Sequence, residues 1–185
     1  MIPVLYTSDD FLVLDKPCGL AVQPGEGVRT SLVDAVERDY SFKPYLVHRL
    51  DKETSGCLVV ARSSRAASDL SGLMGGKGAV KRYVAITYGV PKPDAGLLSD
   101  AVSVRGQEQS ASTRYRVLSW AGPYALVEAE LGSGRNHQIR RHFADANWPV
   151  LGDDRHGNFK ANKDAAKALG AKRLLLHAQI GRAHV

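Results

Sequence analysis

Residues 48–61 read HRLDKETSGCLVVA, a polar run that ends in glycine and leads directly into an apolar segment. The pattern predicts strands over 45–50 and 57–62 that flank a tight turn. Because side chains alternate along a strand, Arg49 and Asp51 are predicted to project from the same face. A carboxylate beside a guanidinium stays ionised, as a nucleophile or a stabiliser of developing positive charge requires. A surface ion pair beside a turn is the alternative explanation of an isolated arginine–aspartate pattern.

Further strands and helices are predicted on both sides of this turn. Strands are expected over 4–6, 11–14, 80–88, 112–119, 124–131 and 173–178, and helices over 31–40, 64–74, 136–146 and near 164–169. Residues 91–112 are polar and weakly patterned, which predicts a mobile excursion. Strands outnumber helices and often follow one another, so the sequence predicts an α+β fold with a mixed, mainly antiparallel sheet and flanking helices.

Three helices have predicted faces. In the first, Leu32 and Val36 are expected on the buried side. The second has an apolar stripe formed by Leu70, Leu73 and Met74. In the third, Ile139 and Phe143 are expected to point inward, with Arg140 on the opposite side together with His137.

The chain is predicted to form one domain over residues 1–179. The last six residues, 180–185, read IGRAHV and match an in-frame translation of a common sequencing adapter. We therefore expect a non-native tail there and a missing native carboxyl-terminal part of the domain.

The net charge of +6 is unevenly distributed. Residues 1–100 carry 12 basic and 12 acidic side chains, so the whole excess lies in 101–185. A localised basic region is typical of proteins that bind polyanions, although many basic domains bind none. No apolar run reaches the roughly 20 residues of a membrane span, and the amino terminus lacks the pattern of a signal peptide. Two cysteines without metal-site spacing are typical of a cytoplasmic protein, and we predict that location without membrane attachment.

Six motifs occur along the chain, and together they resemble those of the RluA-type RNA pseudouridine synthases, in the same order. They are KPCG at 16–19, HRLDKETSG at 48–56, KRYVAI at 81–86, GRNHQIR at 134–140, PVLGD at 149–153 and RLLLHA at 173–178. The resemblance covers nearly the whole chain except 91–111, and no segment resembles an S4 RNA-binding domain. It implies the catalytic fold of that family and the conversion of specific uridines in RNA to pseudouridine.

The resemblance also implies roles for individual residues. Asp51 matches the nucleophile, and Arg49 the residue that enters the RNA when the base flips out. Tyr83 matches the residue that stacks on the target uracil and assists proton transfer. Arg140 matches the ion-pair partner of Asp51, for which Arg135 is the main alternative.

The RNA contacts and the pocket are assigned by the same resemblance. The expected RNA-binding residues are His48, Arg49, Arg135, His137, Arg141 and Arg155. Leu175 or Leu176 is expected to line the uracil pocket, depending on a strand register that the sequence leaves open. Neither a cofactor nor a metal is expected, since the histidines lack zinc-site spacing. The expected partner is a structured RNA, and the protein is expected to be a monomer.

Two points stay open at this stage. The segments 138–143 and 152–158 are similar to family members that act on tRNA, but similar segments occur in enzymes of ribosomal RNA. A catalytically idle RNA-binding module is the alternative function, although binding alone has no use for the carboxylate of Asp51. A nucleoside or glycoside hydrolase would require a second positioned acid, and the nearby Glu53 is expected to serve only the turn.

Overall fold

The computed structural model describes residues 1–76, 79–104 and 106–179, of which 103 and 104 are described in their backbone only. These residues form two compact units, Met1–Val80 with the chain end from Ala178, and Lys81–His177. Residues 180–185 lie outside the described residues. The adapter-derived tail and the missing carboxyl-terminal part therefore stay predictions. The single domain over 1–179 stays a prediction as well. Within the described ranges, no helix is both long and apolar enough to cross a lipid bilayer.

The first unit is built on short antiparallel strands. They are β1 (Val4–Thr7), β2 (Phe11–Lys16), β3 (Tyr45–Leu46) and β4 (Ser55–Ala61). Strand β2 pairs with β1 and with β4, and β3 pairs with β4. The first hairpin is therefore confirmed. Strand β3 is much shorter than predicted, which changes the setting of Asp51.

Two helices belong to the first unit. Helix α1 (Leu32–Tyr40) follows a capping box in which the Ser31 hydroxyl accepts from the Asp34 N–H and the Asp34 carboxylate accepts from the Ser31 N–H. It buries Leu32 and Val36, as predicted. Helix α2 (Ser64–Gly75) buries only Ala66, and the side chain of Leu73 is 46% exposed. The predicted apolar stripe of α2 is therefore not a buried face.

The second unit contains a larger antiparallel sheet. Its strands are β5 (Lys81–Tyr88), β6 (Ala95–Leu98), β7 (Val102–Val104), β8 (Gln107–Gln109), β9 (Thr113–Ala121) and β10 (Tyr124–Leu131), and β11 (Leu176–Ala178) begins there. Strand β10 pairs with β5 and β9, and β6 pairs with β9. Strands β7 and β8 form a separate two-stranded ribbon.

The predicted mobile excursion over 91–112 is wrong, because this segment contains β6, β7 and β8. Strand β6 is held by backbone bonds to β9, and Gly96 lies against the ring of Tyr115. A side chain at this glycine would collide with that ring. This pairing depends on backbone hydrogen bonds and on a glycine that has no side chain. The sequence therefore shows no alternation of apolar residues from which a strand could be predicted.

Two helices of the second unit pack against different apolar clusters. Helix α3 (Gln138–Asp145) contributes Ile139 and Phe143 to a cluster with Ala85, Val127 and Trp148. Helix α4 (Phe159–Leu169) contributes Ala161 and Ala165 to a smaller cluster with Leu151. Antiparallel strands with helices packed on them confirm the predicted α+β class.

Candidate active site

The loop that carries Asp51 is irregular rather than extended. Strand β3 ends at Leu46, so Arg49 and Asp51 lie outside any strand, and the alternation argument for their common face is wrong. The reason lies in His48, whose Nε2 accepts the backbone N–H of Val59 at 3.0 Å. An imidazole thereby takes an N–H of β4 that a longer β3 would pair with. His48 thus has a structural role, and its contact with RNA stays a prediction.

The polar turn itself is closed by a hydrogen bond. The backbone N–H of Thr54 donates to the carbonyl of Asp51 at 3.1 Å. Leu50 is buried between an exposed Arg49 and a half-buried Asp51. A buried anchor on one side and a closed turn on the other restrict where the carboxylate of Asp51 can move.

The buried side chain of Lys16 holds this turn in place through hydrogen bonds. Its side chain is fully buried, and its ammonium donates to the carbonyls of Pro17, Leu20 and Lys52, each at 2.9 Å. The carbonyl of Lys52 also accepts the backbone N–H of Gly19 at 2.9 Å. Because an ammonium has three N–H donors, all of them are used on backbone oxygens. Lys16 therefore joins the loop after β2 to the residue that follows Asp51.

Burial lowers the pKa of Lys16 to about 8, although the charges of Cys18, Glu53 and Asp51 act in the opposite direction. Cys18 also donates from its thiol to a carboxylate oxygen of Glu53 at 3.7 Å. This contact gives Glu53 a partner within the turn. It is consistent with the structural role expected for that residue.

Gly56 is the second residue of β4, directly after the turn, and its position leaves no room for a side chain. Its φ is +109°, and a Cβ there would overlap the carbonyl oxygen of Ala178. Both the backbone angle and the close approach require glycine. The last residue of the HRLDKETSG motif is thus explained by packing.

In the second unit, Arg140 is buried rather than solvated. Its side chain is 4% exposed, and its Nε and one Nη each donate to a carboxylate oxygen of Asp153 at 2.7 Å. A guanidinium paired with a carboxylate in this way can be buried. Two of its five N–H donors serve Asp153 in these bonds. The predicted pairing with Asp51 stays a prediction.

Asp153 collects further donors from its own loop. One carboxylate oxygen also accepts the backbone N–H groups of Arg155 and His156, at 2.9 and 3.0 Å. Burial raises its pKa, but the hydrogen bonds from Arg140, His156 and Arg155 outweigh it and lower the pKa of Asp153 to about 2. Asp153 therefore stays ionised and holds Arg140 in one orientation.

The segment before α3 is fixed by Gln138. Its amide oxygen accepts from the Ser133 hydroxyl and the Arg135 N–H, and its amide nitrogen donates to Ser112 and Thr113. Arg135 itself is exposed, with Nε 3.4 Å from the carbonyl of Ser110. The buried amide thus holds the backbone from which the Arg135 side chain extends.

His137 and His156 form a second contact between these loops. Nδ1 of His137 lies 3.0 Å from Nε2 of His156, and the two rings meet edge to face. His137 adopts a left-handed backbone conformation at the start of α3. Burial lowers the pKa of His156, against the charge of Asp153, which raises it. Arg155 is exposed and Arg141 half-buried, and their RNA contacts stay predictions.

The register of β11 separates the two candidate pocket leucines. Leu176 is buried in the larger cluster, against which Tyr83 also packs. Leu175 packs instead on the smaller cluster beneath α4. Tyr83 and Leu176 therefore share one apolar cluster, which makes Leu176 the better candidate for a surface beside Tyr83.

Three structurally central residues received no role from the sequence. Lys16 and Asp153 stand in recognised motifs, but a lysine beside proline and an aspartate in a loop are typical of surfaces. Gln138 gave no signal, because its amide nitrogen binds Ser112 and Thr113, which are distant along the chain. Among the described residues, no group of three or more histidine, cysteine or acidic side chains is arranged to hold a metal.

Comparison with known proteins supports an assignment of family. A family model described as RNA pseudouridylate synthase matches residues 10–145. An uncharacterized RNA pseudouridine synthase of Aquifex aeolicus is 33% identical, and the alignment covers 99% of this chain and 65% of that protein. The ribosomal large subunit pseudouridine synthase D of Xanthomonas campestris is 36% identical, over 95% of this chain and 60% of that protein. This chain thus spans about two thirds or less of the length of these relatives.

Solved structures agree on the fold. Human RNA pseudouridylate synthase domain containing 4 superimposes with a TM-score of 0.81 at 29% identity, covering 95% of this chain and 82% of the other. Human RNA pseudouridylate synthase domain containing 1 gives a TM-score of 0.83 at 24% identity, covering 99% and 78%. With a family match over most of its residues, the chain belongs to the RNA pseudouridylate synthases, in the RluA-type group that its six motifs predicted.

Proposed function

We propose that this protein isomerises uridine to pseudouridine in RNA, with Asp51 as the nucleophile. The observation that carries the proposal is the fixed turn around Asp51. A fully buried Lys16 and a closed hydrogen bond position a carboxylate within the motif that the family uses for its chemistry. A turn that served only the fold would not need an acid at this position.

The reaction has defined requirements. The bond between C1′ and N1 of the uridine breaks, the uracil turns, and a bond forms between C1′ and C5. The hydrogen on C5 leaves as a proton, and N1 ends protonated. Positive charge develops on the sugar as in glycoside cleavage, and one ionised carboxylate can stabilise or capture it. The reaction consumes no cofactor.

The other predicted residues fit steps of this reaction. Arg49 is exposed on the loop beside Asp51, where it can enter RNA as the target base leaves the stack. Tyr83 is partly buried against the cluster that contains Leu176, and its ring is assigned to stack on one face of the uracil. Arg140, fixed by Asp153, is assigned to keep Asp51 ionised.

The proposed substrate is a structured RNA. Relatives named for the ribosomal large subunit favour ribosomal RNA, whereas the segments 138–143 and 152–158 favour tRNA. We also propose that the enzyme is cytoplasmic and monomeric. Both RNA classes are available in one experiment, because bulk RNA contains them together.

Release of tritium from RNA labelled at uridine C5 tests the proposal directly. Labelled bulk RNA from cells that lack these synthases is incubated with the wild type and with Asp51→Asn. We expect release by the wild type and none by the variant, since an amide cannot replace the nucleophile. Circular dichroism confirms that both are folded.

Two results would contradict parts of the proposal. An active Asp51→Asn variant would remove Asp51 as the nucleophile. A folded wild type that binds RNA but releases no tritium would instead support the idle RNA-binding module. Lys52→Gln is the matched control, because it changes an exposed charge on the same turn and leaves the Lys52 carbonyl in place.

A further inference from the structure

Helix α4 presents a row of lysines away from its buried side. Lys160, Lys163 and Lys167 are all exposed, and they fall within an arc of about 60° on a helical wheel. The buried residues Ala161 and Ala165 lie on the opposite side. The lysines are therefore not needed to pack the helix.

An exposed aromatic residue starts the same helix. Phe159 is 76% exposed, although it follows directly on the capping residue Asn158, whose side chain accepts the N–H of Ala161. A phenylalanine that is open to water at a fixed helix start is suited to bind a flat ligand. It is not needed as a core residue, since the helix packs through its alanines.

The helix start is joined to the loop that contains Asp153. The amide nitrogen of Asn162 donates to the carbonyl of Asp153 at 3.0 Å, and its amide oxygen accepts the N–H of Gly152 at 2.9 Å. The amino-terminal end of α4 is thereby fixed beside the ion pair of Arg140 and Asp153. A molecule bound at that loop can continue along α4.

Charge around α4 is strongly positive. Residues 155–173 contain six basic residues and one acidic residue, Asp164. Arg155 and Lys172, on either side of the helix, are exposed as well. This segment supplies most of the net charge of +6 and is complementary to a polyanion.

We propose that α4 forms an RNA-binding surface that extends from the loop of Asp153. Lys160, Lys163 and Lys167 bind successive phosphates of one RNA strand, and Phe159 stacks on an unpaired base. The row spans about 10 Å, which matches about three nucleotides of a stacked strand. The inference rests on the proposed function only in taking RNA as the partner.

The surface fits RNA better than an anionic membrane. A helix that lies in a membrane presents a continuous apolar face beside its basic residues. The exposed side of α4 instead has lysines along its length, and its large apolar side chains, Phe159 and Leu169, stand at opposite ends. One aromatic residue next to a row of cations is typical of single-strand recognition.

The lysines are tested by the salt dependence of RNA binding. We compare the full chain with a triple variant, Lys160→Gln, Lys163→Gln and Lys167→Gln, on an unmodified tRNA transcript. The slope of log affinity against log salt should fall by about 2, because each single-strand phosphate contact contributes about 0.7. Glutamine preserves helix propensity, and thermal unfolding confirms the fold. The control is Arg29→Gln, Lys43→Gln and Arg65→Gln, which removes the same charge from other exposed positions.

Phe159 is tested by a loss of RNA affinity without a change in the salt dependence. Phe159→Ala should weaken binding by about tenfold for an RNA with unpaired nucleotides and leave the salt slope unchanged, whereas Phe159→Trp should restore affinity. Equal weakening on a fully paired duplex would contradict stacking. Equal slopes for the wild type and the triple lysine variant, or an equal fall in the control, would contradict the phosphate contacts.

The outcomes separate this inference from the proposed function. A wild type that releases no tritium but loses salt-dependent binding in the triple variant keeps the surface and rejects the activity. If the wild type is active and the triple lysine variant binds RNA normally, the activity is kept and the RNA-binding surface on α4 is rejected. Loss of binding to phosphatidylserine vesicles, with RNA binding intact, would identify a lipid surface instead and overturn the inference.

Discussion

Two buried cations, one in each unit, are held in different ways. Lys16, in the first unit, gives its three bonds to neutral backbone carbonyls. Arg140, in the second unit, is held by two bonds to the carboxylate of Asp153. The consequence for the pKa differs accordingly. Burial lowers the pKa of Lys16 to about 8, whereas the bonds around Asp153 lower that pKa to about 2 despite burial.

The difference shows what each arrangement fixes. Carbonyls from Pro17, Leu20 and Lys52 belong to separate points of the chain, so Lys16 holds the backbone that carries Asp51. Asp153 holds the Arg140 side chain itself, through two parallel hydrogen bonds from Nε and Nη. One cation thus positions a loop, and the other is positioned by its counterion.

The largest expected effect comes from breaking the charged pair. Asp153→Ala leaves the guanidinium of Arg140 buried without this carboxylate, and we expect a loss of about 3–5 kcal/mol in the free energy of unfolding. Urea unfolding measures it. The control is Glu128→Ala, which removes the half-buried partner of the exposed Arg116 and should cost less than about 1 kcal/mol. Equal losses in the two variants would mean that burial adds nothing to the pair.

Gly56 tests how tightly the first region is packed. Gly56→Ala places a methyl group against the carbonyl of Ala178 at a φ of +109°, and we expect a loss of about 3 kcal/mol. Gly72→Ala is the matched control, because a side chain at that helical position meets no atom within 4 Å. It should raise stability by about 0.5–1 kcal/mol. Thermal unfolding distinguishes the two, and a neutral Gly56→Ala would show that the chain end gives way.

What the sequence could predict follows from how local each signal is. The α+β class, α1 and the β9–β10 pair follow from periodicity, and the Asp51 motif follows from nine adjacent residues. The length of β3 was not predictable, because it depends on a hydrogen bond between His48 and Val59. The burial of Arg140 was not predictable from helical spacing either, since it depends on Asp153, 13 residues further along the chain.

Lys16→Met tests the neutral arrangement. The variant keeps an unbranched side chain, one atom shorter, and removes three hydrogen bonds without leaving an unpaired charge, so we expect a smaller loss of about 2–3 kcal/mol. The turn around Asp51 loses its link to Lys52, and tritium release should fall by more than stability explains. The variant is therefore assayed well below its unfolding temperature. Unchanged kcat in a destabilised variant would limit Lys16 to the fold.

The pH dependence of stability should distinguish the Lys16 site from the Asp153 carboxylate, because the two groups titrate in different pH windows. Asp153 has a folded pKa of about 2 against an ordinary value of 3.8, so its contribution is present above pH 4 and is lost as the pH falls towards 2. Lys16 has a folded pKa of about 8 against 10.5. Between these values the unfolded chain holds more protons, and stability from this site rises with pH. Urea unfolding gives the free energy of unfolding of the wild type and of each variant as a function of pH. The difference between the wild type and Asp153→Ala at low pH isolates the contribution of Asp153. The difference between the wild type and Lys16→Met at high pH isolates that of Lys16. A difference that stays constant across its window would contradict the assigned protonation state.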